Sequence, residues 1–141
     1  MAEFSVIGKR TSMVDGPAKV TGGAKYTDDL TLPGMLHGKM LRSPHPHARI
    51  VRLDTTRAAA LSGVMGIITG ADASRQYGIL PVGHDETALA VDKVRYIGEG
   101  VAAVAAVSAE VAEEALELIA VEYEVLPAAF DPEQAMRRQT E

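Results

Sequence analysis

Cysteine is absent from this chain. That excludes disulfides, cysteine-ligated iron–sulfur clusters and thiol catalysis within it. Tryptophan is absent too, and the other aromatics are two Phe and four Tyr. A core must therefore be built from Val, Ile, Leu, Ala and Met. No apolar run approaches the roughly 20 residues that span a bilayer. The opening Met1-Ala2-Glu3-Phe4-Ser5 lacks the basic and apolar regions of a signal peptide. The 14 basic residues are scattered, never more than two together, and the net charge is −5. Nothing in that pattern grips DNA or RNA electrostatically. A soluble cytoplasmic protein with neither nucleic-acid nor membrane partners is the expectation.

What is present suits one globular domain. The 141 residues are 47% hydrophobic, enough to bury roughly two thirds of the unfolded surface. Residues 1–33 are expected to be an irregular segment that wraps over a surface, because Asp15-Gly16-Pro17 and Thr21-Gly22-Gly23 are turn signals with few apolar residues between them. Residues 34–136 form the folded domain, and 137–141 a polar tail. Strands are expected over 35–41, 50–53 and 64–69. A Pro-rich break at 43–47 separates the first two, and a short helix over 56–61 precedes the third. Residues 72–92 read as a long loop. The run Val101-Ala102-Ala103-Val104-Ala105-Ala106-Val107 fits a strand buried on both faces.

The clearest helix is expected over 108–120, with Ser108 as its N-cap. Ala112, Ala115, Leu116 and Ile119 form one apolar stripe, and Glu110, Glu113, Glu114 and Glu117 a solvated face. Val121-Glu122-Tyr123-Glu124-Val125 alternates as a half-buried strand does. Asp131-Pro132 opens a last short helix. Strands interleaved with helices indicate an α/β or α+β domain.

The chemistry-bearing residues do not add up to an active site. His45 and His47 lie close enough to share a metal, but a stable site wants three or four ligands. His37 and His84 offer no recognisable spacing, so ordering a turn or packing on a partner is the favoured reading. Asp28 and Asp29 sit side by side, whereas paired-carboxylate catalysis needs groups facing across a cleft. Gly98-Glu99-Gly100 lacks the third glycine and the following helix of a dinucleotide loop. Arg42 and Arg49 flank the Pro-His break. They could clamp a phosphate or carboxylate, but pairing with Asp28, Asp29 or a partner's acid is favoured.

Four segments carry a resemblance. The first is Ile7-Gly8-Lys9-Arg10 with Asp15-Gly16, followed by Lys19-Val20-Thr21-Gly22-Gly23-Ala24-Lys25-Tyr26-Thr27-Asp28-Asp29. The second runs from Met35 through Leu41-Arg42-Ser43-Pro44-His45-Pro46-His47 to Ile50. The third is Asp92 to Val104, with Tyr96-Ile97-Gly98-Glu99-Gly100 at its centre, and the fourth is Ala112 to Pro127. In this order they resemble the N-terminal a/b hammerhead domain of the molybdenum subunit of the xanthine dehydrogenase/aldehyde oxidase family. Within it, Tyr77-Gly78-Ile79-Leu80-Pro81-Val82 and the run from Leu89 to Tyr96 look most like the large subunit of hydroxybenzoyl-CoA reductase.

The resemblance implies an a/b hammerhead fold with short strands and one long amphipathic helix near the C-terminus. It implies a component of a molybdenum–pterin oxidoreductase, of hydroxylase, dehydrogenase or acyl-CoA reductase type. The molybdenum–pterin cofactor would sit in a catalytic partner subunit or domain, with iron–sulfur clusters and usually a flavin (FAD) completing the complex. Family members continue into those catalytic segments beyond residues 131–136. No catalytic, cofactor-binding or metal-binding residue is therefore expected here; the enzyme is expected to be the complex, and activity of the isolated chain stays open. The family usually carries proline at the position of Gly100, where glycine is expected to loosen the approach to the strand. The expected interface comprises Arg42, Ser43, Pro44, His45 and His47, with Gly98 and Glu99. The competing readings are a non-catalytic scaffold module, a truncated fragment, and a small autonomous hydrolase.

Overall fold

The computed structural model describes residues 4–80 and 82–137 and falls into two units, Met1–Met35 and Leu36–Glu141. In the first unit the chain is mostly extended and turning. Among its described residues the one α-helix is α1 (Gly16–Val20). Asp15-Gly16-Pro17, expected to be a plain turn, opens this helix instead. Proline in a first turn gives up no hydrogen bond, and its fixed φ suits the helix. Thr21 closes the helix with its hydroxyl on the Pro17 carbonyl at 2.7 Å. A 3-10 turn, Thr27–Asp29, follows, and the Asp29 carboxylate accepts the Tyr26 N–H at 2.9 Å. Among the described residues 4–35, none is buried.

The second unit carries the core. Its strands are β1 (His37–Arg42), β2 (Ala48–Asp54), β3 (Val64–Thr69), β4 (Lys93–Val94), β5 (Gly100–Ala106) and β6 (Ala120–Val125). Its helices are α2 (Thr56–Ala59), α3 (Ala109–Glu117) and α4 (Pro132–Arg137). The strands form two antiparallel sheets of three, in the orders β1-β5-β3 and β4-β2-β6. The helix α3 and the inward face of β5 share one apolar cluster, Ala58, Ala102, Val104, Ala115 and Ile119. A second cluster joins Ala48, Ala90, Val94 and Val101. Leu53 and Val121 pack against both and so link the two sheets. With few aromatics, small side chains let the layers approach closely, and dispersion contacts replace bulk.

Three expectations change. The helix expected over 108–120 is nine residues long. Ser108 caps it as expected, accepting the Val111 N–H at 3.3 Å. Its C-terminus tightens into a turn, with Leu118 and Ile119 donating to Ala115 and Leu116, because Ala120 is claimed by β6 opposite Asp54. The small-residue strand is central in its sheet but not buried on both faces throughout, since Ala103 and Ala105 are half-buried. The loop after β3 holds one isolated bridge, Tyr77 to Glu86, and ends in the two-residue β4. Apart from Arg137, the expected polar tail lies outside the described residues. Among the described residues, no helix is long and apolar enough to cross a membrane.

Candidate functional site

β1 and β5 run side by side until a bulge between Leu41 and Arg42 shifts the register, so that Arg42 faces Gly100 and Val101 is left over. An extra residue on one strand bends it and re-aims the side chains that follow. Gly100 fits that bend because a Cβ there would come within 2.6 Å of the Met40 sulfur and 3.1 Å of Leu89 Cδ2. The glycine expected to loosen this approach therefore marks a tight one.

Beyond the bulge the two segments stay joined. Ser43 N–H donates to the Glu99 carbonyl at 2.9 Å, and Gly98 N–H donates to the Ser43 carbonyl at 2.9 Å. Gly98 adopts φ +91°, a region that favours glycine. The Arg42 guanidinium reaches across and donates to the Gly98 carbonyl at 2.8 Å. Arg42 was expected to pair with an acid, but it latches a backbone corner instead. Arg49 does find an acid, Glu124, at 2.8 Å on the neighbouring strand.

The turn itself is stiff. Ser43 is 3% exposed. Its hydroxyl accepts the His45 N–H and donates to the His45 carbonyl, each at 3.0 Å. The His45 ring meets Tyr123 edge-on, with centroids 5.0 Å apart. Burial pushes the Tyr123 phenol pKa up, and the Ser43 hydroxyl beside it pulls the other way. His47 Nδ1 lies 2.9 Å from the Pro127 carbonyl, and the Leu126 N–H donates to the His47 carbonyl. The two histidines thus serve different neighbours and share no ligand. The Glu99 carboxylate folds back on the Arg95 N–H, with the Arg95 guanidinium 3.6 Å away. Arg42, Pro44, Tyr96 and Ile97 are left exposed. The arrangement can grip a surface, but it offers neither a nucleophile beside a base nor converging ligands.

The two segments chosen from sequence, Arg42–His47 and Gly98–Glu99, are therefore one site. Sequence reasoning missed a cleft of about 480 Å³ lined by Ile50, Arg52, Thr55, Thr69, Asp72 and Val91, among others. Its charges are already engaged. Arg52 donates to Asp54 at 2.8 Å, and Asp72 accepts both the Thr69 N–H and its hydroxyl. The cleft forms where strands from the two sheets meet the loop after β3, so no local pattern announces it.

Residues 21–127 match the family model described as "Aldehyde oxidase and xanthine dehydrogenase, a/b hammerhead domain". A probable xanthine dehydrogenase subunit from Bacillus subtilis (strain 168) is 49% identical over 125 residues, covering 87% of this chain and 16% of that protein. "Nicotinate dehydrogenase large molybdopterin subunit" from Eubacterium barkeri is 39% identical over 136 residues, covering 95% of this chain and 32% of that one. The crystal structure of quinoline 2-oxidoreductase from Pseudomonas putida 86 superposes with a TM-score of 0.83 at 41% identity, covering 92% of this chain and 18% of that chain. This chain thus spans a third or less of each relative. None of the three bears the hydroxybenzoyl-CoA reductase name expected from residues 77–96.

Proposed function

This chain belongs to the aldehyde oxidase and xanthine dehydrogenase a/b hammerhead family, and on that premise we propose that it is a structural domain of a molybdenum–pterin oxidoreductase, docked on the part that binds the metal. When bound, that cofactor supplies two-electron exchange with the substrate. Iron–sulfur clusters, and a flavin beyond them, complete the electron path in the assembled enzyme. The residues of this chain do not fit the cofactor. Among the described residues, every buried side-chain nitrogen or oxygen has a partner, and no three His, Asp or Glu side chains converge. The reading is that this chain positions the catalytic part.

The observation that carries this reading is the first unit. Residues 4–35 bury nothing, yet Phe4, Ile7, Val14, Val20, Tyr26 and Leu32 are all more than half exposed. Soluble proteins seldom leave that much apolar surface without a partner. Residues 4–33 wrap over the molybdenum-binding part, and the Arg42–His47 turn with Gly98–Glu99 supplies a stiff contact. Arg42 spends one of its five donors on Gly98 and keeps the rest for a partner.

The test is recovery of the tagged chain from its own host, with molybdenum quantified per chain. A large partner with stoichiometric molybdenum supports the reading, and Arg42→Ala should then weaken the association. A lone, metal-free chain would sink it in favour of a scaffold module.

A further inference from the structure

The sheet β1-β5-β3 has one face on the core, where Ala102 and Val104 meet α3. Its other face is open away from the Gly100 end, where Leu89 lies beside Met40. Gly38 and Met40 of β1 lie opposite Ala105 and Ala103 of β5, which in turn lie opposite Gly66 and Ile68 of β3. Successive strand residues point to opposite faces, so these six residues form one surface. Met40 is 39% and Ile68 50% exposed, and Ala103 and Ala105 are half-buried although their strand is central. A Cβ added at Gly38 or Gly66 would meet nothing within 4 Å. The surface is flat and apolar, and none of the six residues is charged. Arg42 lies two positions beyond Met40, past the bulge, so β1 leads from this face to the Arg42–Gly98 corner.

Its size limits what can cover it. Six-residue strands at ~3.4 Å per residue and three strands at ~4.8 Å spacing give roughly 290 Å². A stable interface takes about 800 Å² from each partner. A second copy seated on this face alone would not hold. A tethered partner would, because tethering raises the effective concentration and lets a small patch suffice. In quinoline 2-oxidoreductase the matching region is 18% of a single polypeptide, so the remainder of that chain is tethered to it.

We infer that the Gly38/Met40/Ala103/Ala105/Gly66/Ile68 face seats the molybdenum-binding body, through an uncharged apolar surface of that body, in continuation of the Arg42–Gly98 corner. This rests on the function proposed above and names the surface that performs it. Glycine at 38 and 66 lets the partner approach the backbone closely.

The absence of cysteine makes the test clean, since one introduced thiol reports one site. Ala105→Cys, Ile68→Cys and, as a control on the solvated side of α3, Glu117→Cys are labelled with a maleimide. Labelling is measured in the full chain alone and in the molybdenum-containing complex recovered from the host. The expected result is at least tenfold slower labelling at positions 68 and 105 in the complex, with position 117 unchanged. A molybdenum-containing complex in which both face positions label as fast as in the chain alone overturns this inference and leaves the proposed function standing. Failure to recover any molybdenum partner overturns both. Protection that appears in the chain alone and grows with its concentration assigns the face to a second copy and overturns the inference.

Discussion

Ser43 holds the candidate site together through one hydroxyl, and Ser43→Ala measures how much that matters. The hydroxyl accepts the His45 N–H, donates to the His45 carbonyl and lies beside the Tyr123 phenol. Alanine fits the space, and the backbone bonds from Ser43 to Gly98 and Glu99 remain. The loss is confined to a part-buried N–H and carbonyl left without the side-chain partner. Stranding such a group costs about 1–3 kcal/mol, and the half-buried setting of His45 puts this case at about 1.5 kcal/mol. For a folded unit near 100 residues each kcal/mol moves Tm by about 4 °C or more, so a fall of roughly 6 °C is expected. Thermal unfolding followed by far-UV circular dichroism reads it. A second readout is independent of stability. The Ser43 hydroxyl lowers the Tyr123 pKa against burial, so Ser43→Ala should raise that pKa further, seen in an ultraviolet titration of the phenol. A Tm within about 1 °C of the parent, with the tyrosine titration unmoved, would show that the hydroxyl organises nothing.

Four further outcomes follow from the same geometry. Ser108→Ala removes the N-cap of α3 and should cost about 1 kcal/mol in urea unfolding at unchanged slope. Gly100→Ala should cost about 1–2 kcal/mol by crowding the Met40 sulfur, and Met40→Ala in the same chain should recover part of it, a coupling that a double-mutant cycle reads directly. The Asp72 carboxyl is held below its ordinary pKa by the Thr69 N–H and hydroxyl. Its contribution is present above the unfolded value near ~4 and lost as pH falls below it, so Asp72→Asn should flatten the acid limb of a Tm-against-pH curve. Tyr123 behaves in the opposite sense. Its raised pKa contributes stability below ~10 that is lost as pH rises through the folded value, and Tyr123→Phe should remove that alkaline loss.

Local chemistry determined much of this protein in advance. The bounds of β3, the capping role of Ser108, the Glu122/Glu124 alternation of β6 and the Asp131-Pro132 start of α4 are all legible because each signal acts within a few residues. The choice of Arg42–His47 and Gly98–Glu99 as the candidate interface came from residue order read together with the family resemblance. Tertiary structure decided what those residues do to one another. Arg42 and its carbonyl partner are 56 positions apart, and no period or spacing encodes that meeting. β4 exists only because β2 lies beside it. The helix α3 stops at Glu117, short of where its own pattern runs, because Ala120 is worth more to the fold as a strand residue paired with Asp54. Gly100, which sequence reads as slack, is tight because a bulge brings Met40 onto it. Short-range hydrogen bonding and apolar period are written along the chain. Which surfaces meet, and which sheet face stays bare, depends on packing between residues far apart in sequence.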